Sequence, residues 1–127
     1  MARRYIGKGV IALTGVQFPL TTFSAAGTLN AYGINQIVGS TGVPNYTLPA
    51  PVAGRQVFIT AGLCASGKTC TVKPASTDQY FASSGTTKLN LRKLTFNGAN
   101  DTVTLLGLST RRWLIISNVG SVAIATT

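Results

Sequence analysis

A chain of 127 residues is long enough for one domain with a real core. Its charge is sparse and one-sided: charged residues make up 10%, and 11 basic residues face 2 acidic ones for a formal charge of +9. With no His, no Glu, and Asp78 and Asp101 well separated, neither a Ser/His/Asp or Cys/His relay, nor a carboxylate pair, nor a His-based metal site can be assembled, so a protein without catalytic activity or cofactor is expected.

Residues 1–30 read as an extended N-terminal arm. Arg3, Arg4 and Lys8 carry its charge, and Tyr5, Ile6, Val10, Ile11 and Leu13 supply apolar surface. Residues 5–13 suit a strand or an extended arm. Met1-Ala2-Arg3-Arg4 before Val10-Ile11-Ala12-Leu13 loosely resembles a secretory signal, but Gly7, Lys8 and Gly9 break the apolar segment. Residues 14–30 contain Gly15, Pro19, Gly27 and several Thr, the composition of an irregular connection. Residues 31–38 fit a strand or one short helical turn, and residues 39–44 are a loop.

From residue 46 the strand signals sharpen. Tyr46-Thr47-Leu48 alternates and then meets Pro49-Ala50-Pro51, as a short strand ending at a corner does. Residues 52–54 turn the chain. Residues 55–61, with Val57, Phe58 and Ile59, read as a buried strand. The next stretch, GLCASGKT at residues 62–69, matches the phosphate-loop pattern at every required position. That loop binds phosphate because it opens a helix, whose amides and dipole favour an anion. Here Cys70-Thr71-Val72 are weak helix formers, and Pro74 would break the second turn. A hairpin turning at Ser66-Gly67, with a returning strand from Cys70, fits better. Cys64 and Cys70 flank that turn; they are either a disulfide or two small, partly buried thiols.

Further along, Tyr80-Phe81 is apolar between polar loops. Leu89, Leu91, Leu94 and Phe96 alternate with one slip, which a β-bulge near Arg92-Lys93 would absorb. Asn97-Gly98 signals a turn, and Val103, Leu105 and Leu106 a strand. Trp113 to Ile116 is continuously apolar, as in a strand buried on both faces. A turn at residues 119–121 precedes a closing strand over residues 122–125. Asn45-Tyr46-Thr47 and Asn100-Asp101-Thr102 fit the glycosylation pattern, which a Thr-rich chain meets by accident. Short strands at this spacing predict an all-β fold, a β-sandwich or jelly-roll-like body over residues 31–127. No apolar run approaches the ~20 residues of a spanning helix.

The basic residues are scattered along the sequence, with small groups only at the N-terminus, Lys88 to Lys93 and Arg111-Arg112. An acidic partner is expected, a protein surface ahead of nucleic acid, and no membrane. Sparse charge also suggests that other subunits cover part of the surface. Trp113, Phe58 and Phe96 are the expected core or subunit-contact residues.

The run Tyr46-Thr47-Leu48-Pro49-Ala50-Pro51-Val52-Ala53-Gly54 resembles a segment of tailed-bacteriophage capsid decoration, or cement, proteins. So do Leu94-Thr95-Phe96 before Asp101-Thr102-Val103-Thr104-Leu105, and the late Arg112-Trp113-Leu114-Ile115-Ile116-Ser117-Asn118. The resemblance covers residues 46–125. It implies a β-sandwich or jelly-roll body, often a homotrimer, seated on the capsid surface over junctions between major capsid protein subunits. The arm would then be the anchor, through Arg3, Arg4, Tyr5, Lys8, Val10 and Ile11. Similar segments occur in tail-fibre and spike modules that bind a host surface, and a small basic nucleic-acid-binding protein is the remaining alternative.

Overall fold

The computed structural model describes residues 18–38, 44–62, 69–85 and 90–126. Its elements are β1 (Leu20–Phe23), β2 (Gly27–Thr28), β3 (Gly33–Ile37), β4 (Asn45–Leu48), β5 (Gln56–Ala61), β6 (Cys70–Pro74), β7 (Tyr80–Ala82), β8 (Lys93–Phe96), β9 (Thr102–Gly107), β10 (Arg112–Val119) and β11 (Ala123–Ala125). No helix occurs among the described residues. The all-β expectation therefore stands. Both sheets are mixed, one of six strands in the order β1-β3-β5-β9-β10-β7 and one of five in the order β11-β8-β6-β4-β2.

The chain changes sheet at every connection from β1 to β9. As a result β1, β3 and β5 run parallel in one layer, and β2, β4 and β6 run parallel in the other. Parallel neighbours need a crossover, and here the opposite sheet supplies it in place of a helix. β9 and β10 are the only described strands that follow one another and also pair with each other, in an antiparallel hairpin. A jelly roll is built from antiparallel Greek keys, so the parallel neighbours depart from that part of the expectation.

Period-two patterning explains the layers. In β5 every second residue, Val57, Ile59 and Ala61, is buried, while Gln56, Phe58 and Thr60 are half-buried on the other face. β3 does the same with Gly33, Asn35 and Ile37. The two inner faces meet in one core, whose largest side chains are Trp113, Tyr46, Phe81 and Phe96. Burying each such side chain stabilises the fold by about 1.5–3 kcal/mol. Tyr46 keeps its polar end satisfied: its hydroxyl lies 3.2 Å from the carbonyl oxygens of Phe23 and Val38 and donates to them.

Several local expectations change. Residues 14–30 are not wholly irregular, because β1 and β2 are edge strands of the two sheets. The rest of the arm, residues 1–17, lies outside the described residues, and so do all six of its named anchor residues. β5 and β6 belong to different sheets, so these two strands do not pair as the expected hairpin, and residues 63–68 between them lie outside the described residues. The slip around Arg92 is also a change of sheet. Leu91 bridges Phe81 in one layer, and Lys93 pairs with Ala125 in the other. A bulge does exist, but in β10 between Ile115 and Ser117. There the apparent two-sided burial fails: Trp113 and Ile115 are buried, whereas Ile116 faces outward and is 50% exposed. A sandwich covers only one face of each sheet, so a continuous apolar run must expose alternate members.

Candidate functional site

Strand polarity gives the sandwich two unlike ends. At one end β1, β3, β5, β7, β8 and β10 begin and β2, β4, β6, β9 and β11 finish. Every basic residue among the described residues lies there: Arg55 just before β5, Lys73 near the end of β6, Arg92 and Lys93 at the start of β8, and Arg111 and Arg112 at the start of β10. None of them forms an ion pair among the described residues. The sequence reading took these cations as dispersed; the fold gathers them. No local signal reveals this, because each sits beside a strand boundary whose polarity only the topology fixes.

The same end carries Phe18, Leu20, Tyr32, Val52 and Leu108, five of the seven exposed large apolar residues among the described residues. Three local structures hold them. Gly33 adopts φ +82°, and a Cβ there would lie 2.7 Å from the Pro19 oxygen, so the glycine lets Pro19 close onto β3. Ile34 N–H then donates to that oxygen at 2.8 Å. Gly107 packs so tightly beneath the 49–55 corner that a Cβ would meet the Val52 oxygen at 2.2 Å. Gly54 N–H donates to Gly107 at 2.9 Å, which pins the corner. Finally, the Arg55 guanidinium sits 5.5 Å above the Tyr32 ring, and Phe18 lies 5.3 Å from Phe58 on the outer sheet face. Phe18, Tyr32, Gly54, Arg55 and Gln56 line a groove of about 390 Å³.

The only acid at this end is Asp78, in the β6–β7 connection. Ser76 donates to its carboxylate, which, with Arg111 and Arg92 nearby, holds the group below the ordinary carboxylate range. The Arg111 Nε–H donates to the Asp78 backbone carbonyl at 3.0 Å. The surface therefore stays cationic and partly apolar, with aromatic and arginine side chains of the kind that dominate protein contacts.

The opposite end is built around the other acid. Asp101 is buried and accepts from Gly98 N–H (2.9 Å), Asn97 N–H (3.2 Å), Ser121 N–H (3.1 Å) and the Ser121 hydroxyl (2.9 Å). Burial pushes its pKa up, but the Ser121, Gly98 and Asn97 hydrogen bonds together outweigh that and leave it below the ordinary value. Gly120, at φ +100°, closes the knot: a Cβ there would lie 2.1 Å from Asp101 Oδ1. Every carboxylate lone pair turned inward is used to join two turns, so this acid has a structural role.

Of the other residues singled out in sequence, Trp113 and Phe96 are fully buried within one chain, and Phe58 is half-buried on the outer face. The Trp113 indole N–H finds no hydrogen-bond acceptor among the described residues. Cys70 is buried in the core, while Cys64 lies outside the described residues, as does the proposed pairing. Lys68 lies outside them too. The segment after Thr69 is the strand β6, as expected, so the helix on which a phosphate loop depends is not there. No cluster of three potential metal ligands occurs among the described residues. No known family model matches the chain, and no curated protein matches it.

Proposed function

We propose that this protein is a structural virion component without catalytic activity, which binds the outside of a phage capsid and stabilises contacts between major capsid protein subunits. The observation that supports this most is the convergence of all six described cations and five exposed apolar side chains on one end of the sandwich, while Asp101 at the other end is hydrogen-bonded within the chain. Such a face suits a carboxylate-bearing protein surface: apolar contact gives affinity, and charge gives register and on-rate. The resemblance of residues 46–125 to decoration proteins supplies the capsid as partner and a homotrimer as the assembly. In this reading the basic residues Arg3, Arg4 and Lys8, with Tyr5, Val10 and Ile11, extend the same contact across a neighbouring subunit, so that one protein ties several together.

Purified protein mixed with undecorated heads and imaged should occupy regular positions at subunit junctions, with this end inward. Random attachment would sink the reading. The stacking of Arg55 on Tyr32 beside Phe18 favours one competitor, single-stranded nucleic-acid binding. That alternative requires affinity for oligonucleotides that falls steeply with salt and needs no capsid.

A further inference from the structure

We propose that the cleft between the end of β6 and Arg92 is a receptor for a single carboxylate of an acidic protein segment, a site within the docking face and resting on that reading. Lys73, Arg92, Thr77 and Thr126 line the cleft, and Pro74 and Ala75 form its apolar wall. Its volume is about 220 Å³. That is below the ~300–1,000 Å³ usual for small-molecule pockets and suits one side-chain end.

Three observations select the ligand. First, Arg92 is held in place from its backbone, with its N–H donating to the Ala125 carbonyl at 2.9 Å. Its side-chain Nε is shielded from solvent and has no acceptor among the described residues, so a ligand in the cleft meets the outer part of the guanidinium. A guanidinium also presents two outer nitrogens, from which a planar carboxylate accepts through two parallel bonds. Second, Lys73 is exposed beside it and forms no ion pair, so a second positive charge is open to the same anion. Thr77 and Thr126 add hydroxyl donors. Third, the surroundings disfavour a polyanion. No aromatic ring lines the cleft for a base to stack on, and Asp78, held by Ser76 and facing Arg111 more than Arg92, places a negative charge next to it. One ammonium and one guanidinium match one carboxylate, not a phosphate track.

The test uses the full chain and fluorescence anisotropy at low salt with three probes: a labelled octapeptide carrying three Glu, its Gln counterpart, and a labelled dT12 oligonucleotide. The Glu peptide should bind and the Gln peptide should not. Lys73→Ala and Arg92→Lys should each weaken the Glu peptide about tenfold, the latter because it keeps charge but loses the fork. Arg55→Ala, across the same face, should stay within about twofold. In a nitrogen-detected titration the Arg92 Nε–H resonance should move on adding the Glu peptide. The proposal is overturned if the Gln peptide binds equally, if Lys73→Ala binds like the parent, if Arg55→Ala weakens binding as much, or if dT12 displaces the peptide at lower concentration. Lys73 is exposed, so its truncation leaves the fold intact and keeps the test decisive. Failure here is separable from failure of the capsid reading: heads decorated equally well by Lys73→Ala protein reject the cleft alone, whereas specific peptide binding with bare heads rejects the capsid alone.

Discussion

The two ends of this sandwich handle polar groups in opposite ways. At the Asp101 end, one buried carboxylate accepts four hydrogen bonds and locks residues 97–101 to residues 120–121. At the other end, Arg55, Lys73, Arg92, Lys93, Arg111 and Arg112 stand beside exposed Phe18, Tyr32 and Val52, without ion pairs among the described residues. Groups matched inside a chain make it stable; groups left unmatched on a rigid frame are available to something else. The low charge content of the sequence makes the contrast sharper, because few other charged side chains dilute the cationic end.

The comparison can be broken most directly at its stable end. Gly120→Ala forces a side chain into φ +100° and against Asp101 Oδ1. It should cost about 3–4 kcal/mol in chemical denaturation, from strain and a disrupted network together. Asp101→Asn should cost about 2–3 kcal/mol, because an amide NH2 would confront donors where a carboxylate now accepts. Acid gives the same contrast without mutation. Because the Asp101 pKa is depressed in the folded state, its contribution is complete above the ordinary Asp value of 3.8 and is lost as pH falls through the lower, folded-state value. The parent protein should therefore lose stability below pH 3.8, and the Asp101→Asn protein should lack that part of the decline.

At the cationic end, the proposed docking face, the effects should reverse. Arg112→Glu should leave stability within about 0.5 kcal/mol, since its side chain is exposed, yet lower head occupancy about tenfold. The smallest expected effect is that of Tyr32→Ala. It removes the platform beneath Arg55, with a change in stability near zero and a severalfold loss of docking measured in the same assay. If Tyr32→Ala destabilised the fold as much as Asp101→Asn, the division between the ends would be wrong.

Strands were legible in sequence wherever alternation and a turn signal coincided, as at Tyr46-Thr47-Leu48 before Pro49 and at Val57 to Ala61. What failed was the assignment of partners. A turn such as Asn97-Gly98 shows that the chain reverses, but not whether it returns to the same sheet or crosses the core. Here it crosses, from β8 to β9. The misread bulge at Arg92 and the misread hairpin at residues 62–70 share that cause. The candidate site suffered most. Arg55 and Arg112 are distant in sequence, and only the pairing β5-β9-β10 places their strand starts at one end. Tyr32 gave no signal at all, since a lone tyrosine in a Gly/Asn-rich connection has no period to betray it.

The strict alternation of the first nine strands between layers gives the cationic end a modular origin. Every second passage through the body delivers a connection to that end, at residues 29–32, 49–55 and 75–79, and the β9–β10 hairpin adds residues 108–111. Surface connections tolerate changes of length at small entropic cost. The three that cross between layers can thus lengthen or change charge without resetting a hairpin register, so this end can change its shape and charge one loop at a time.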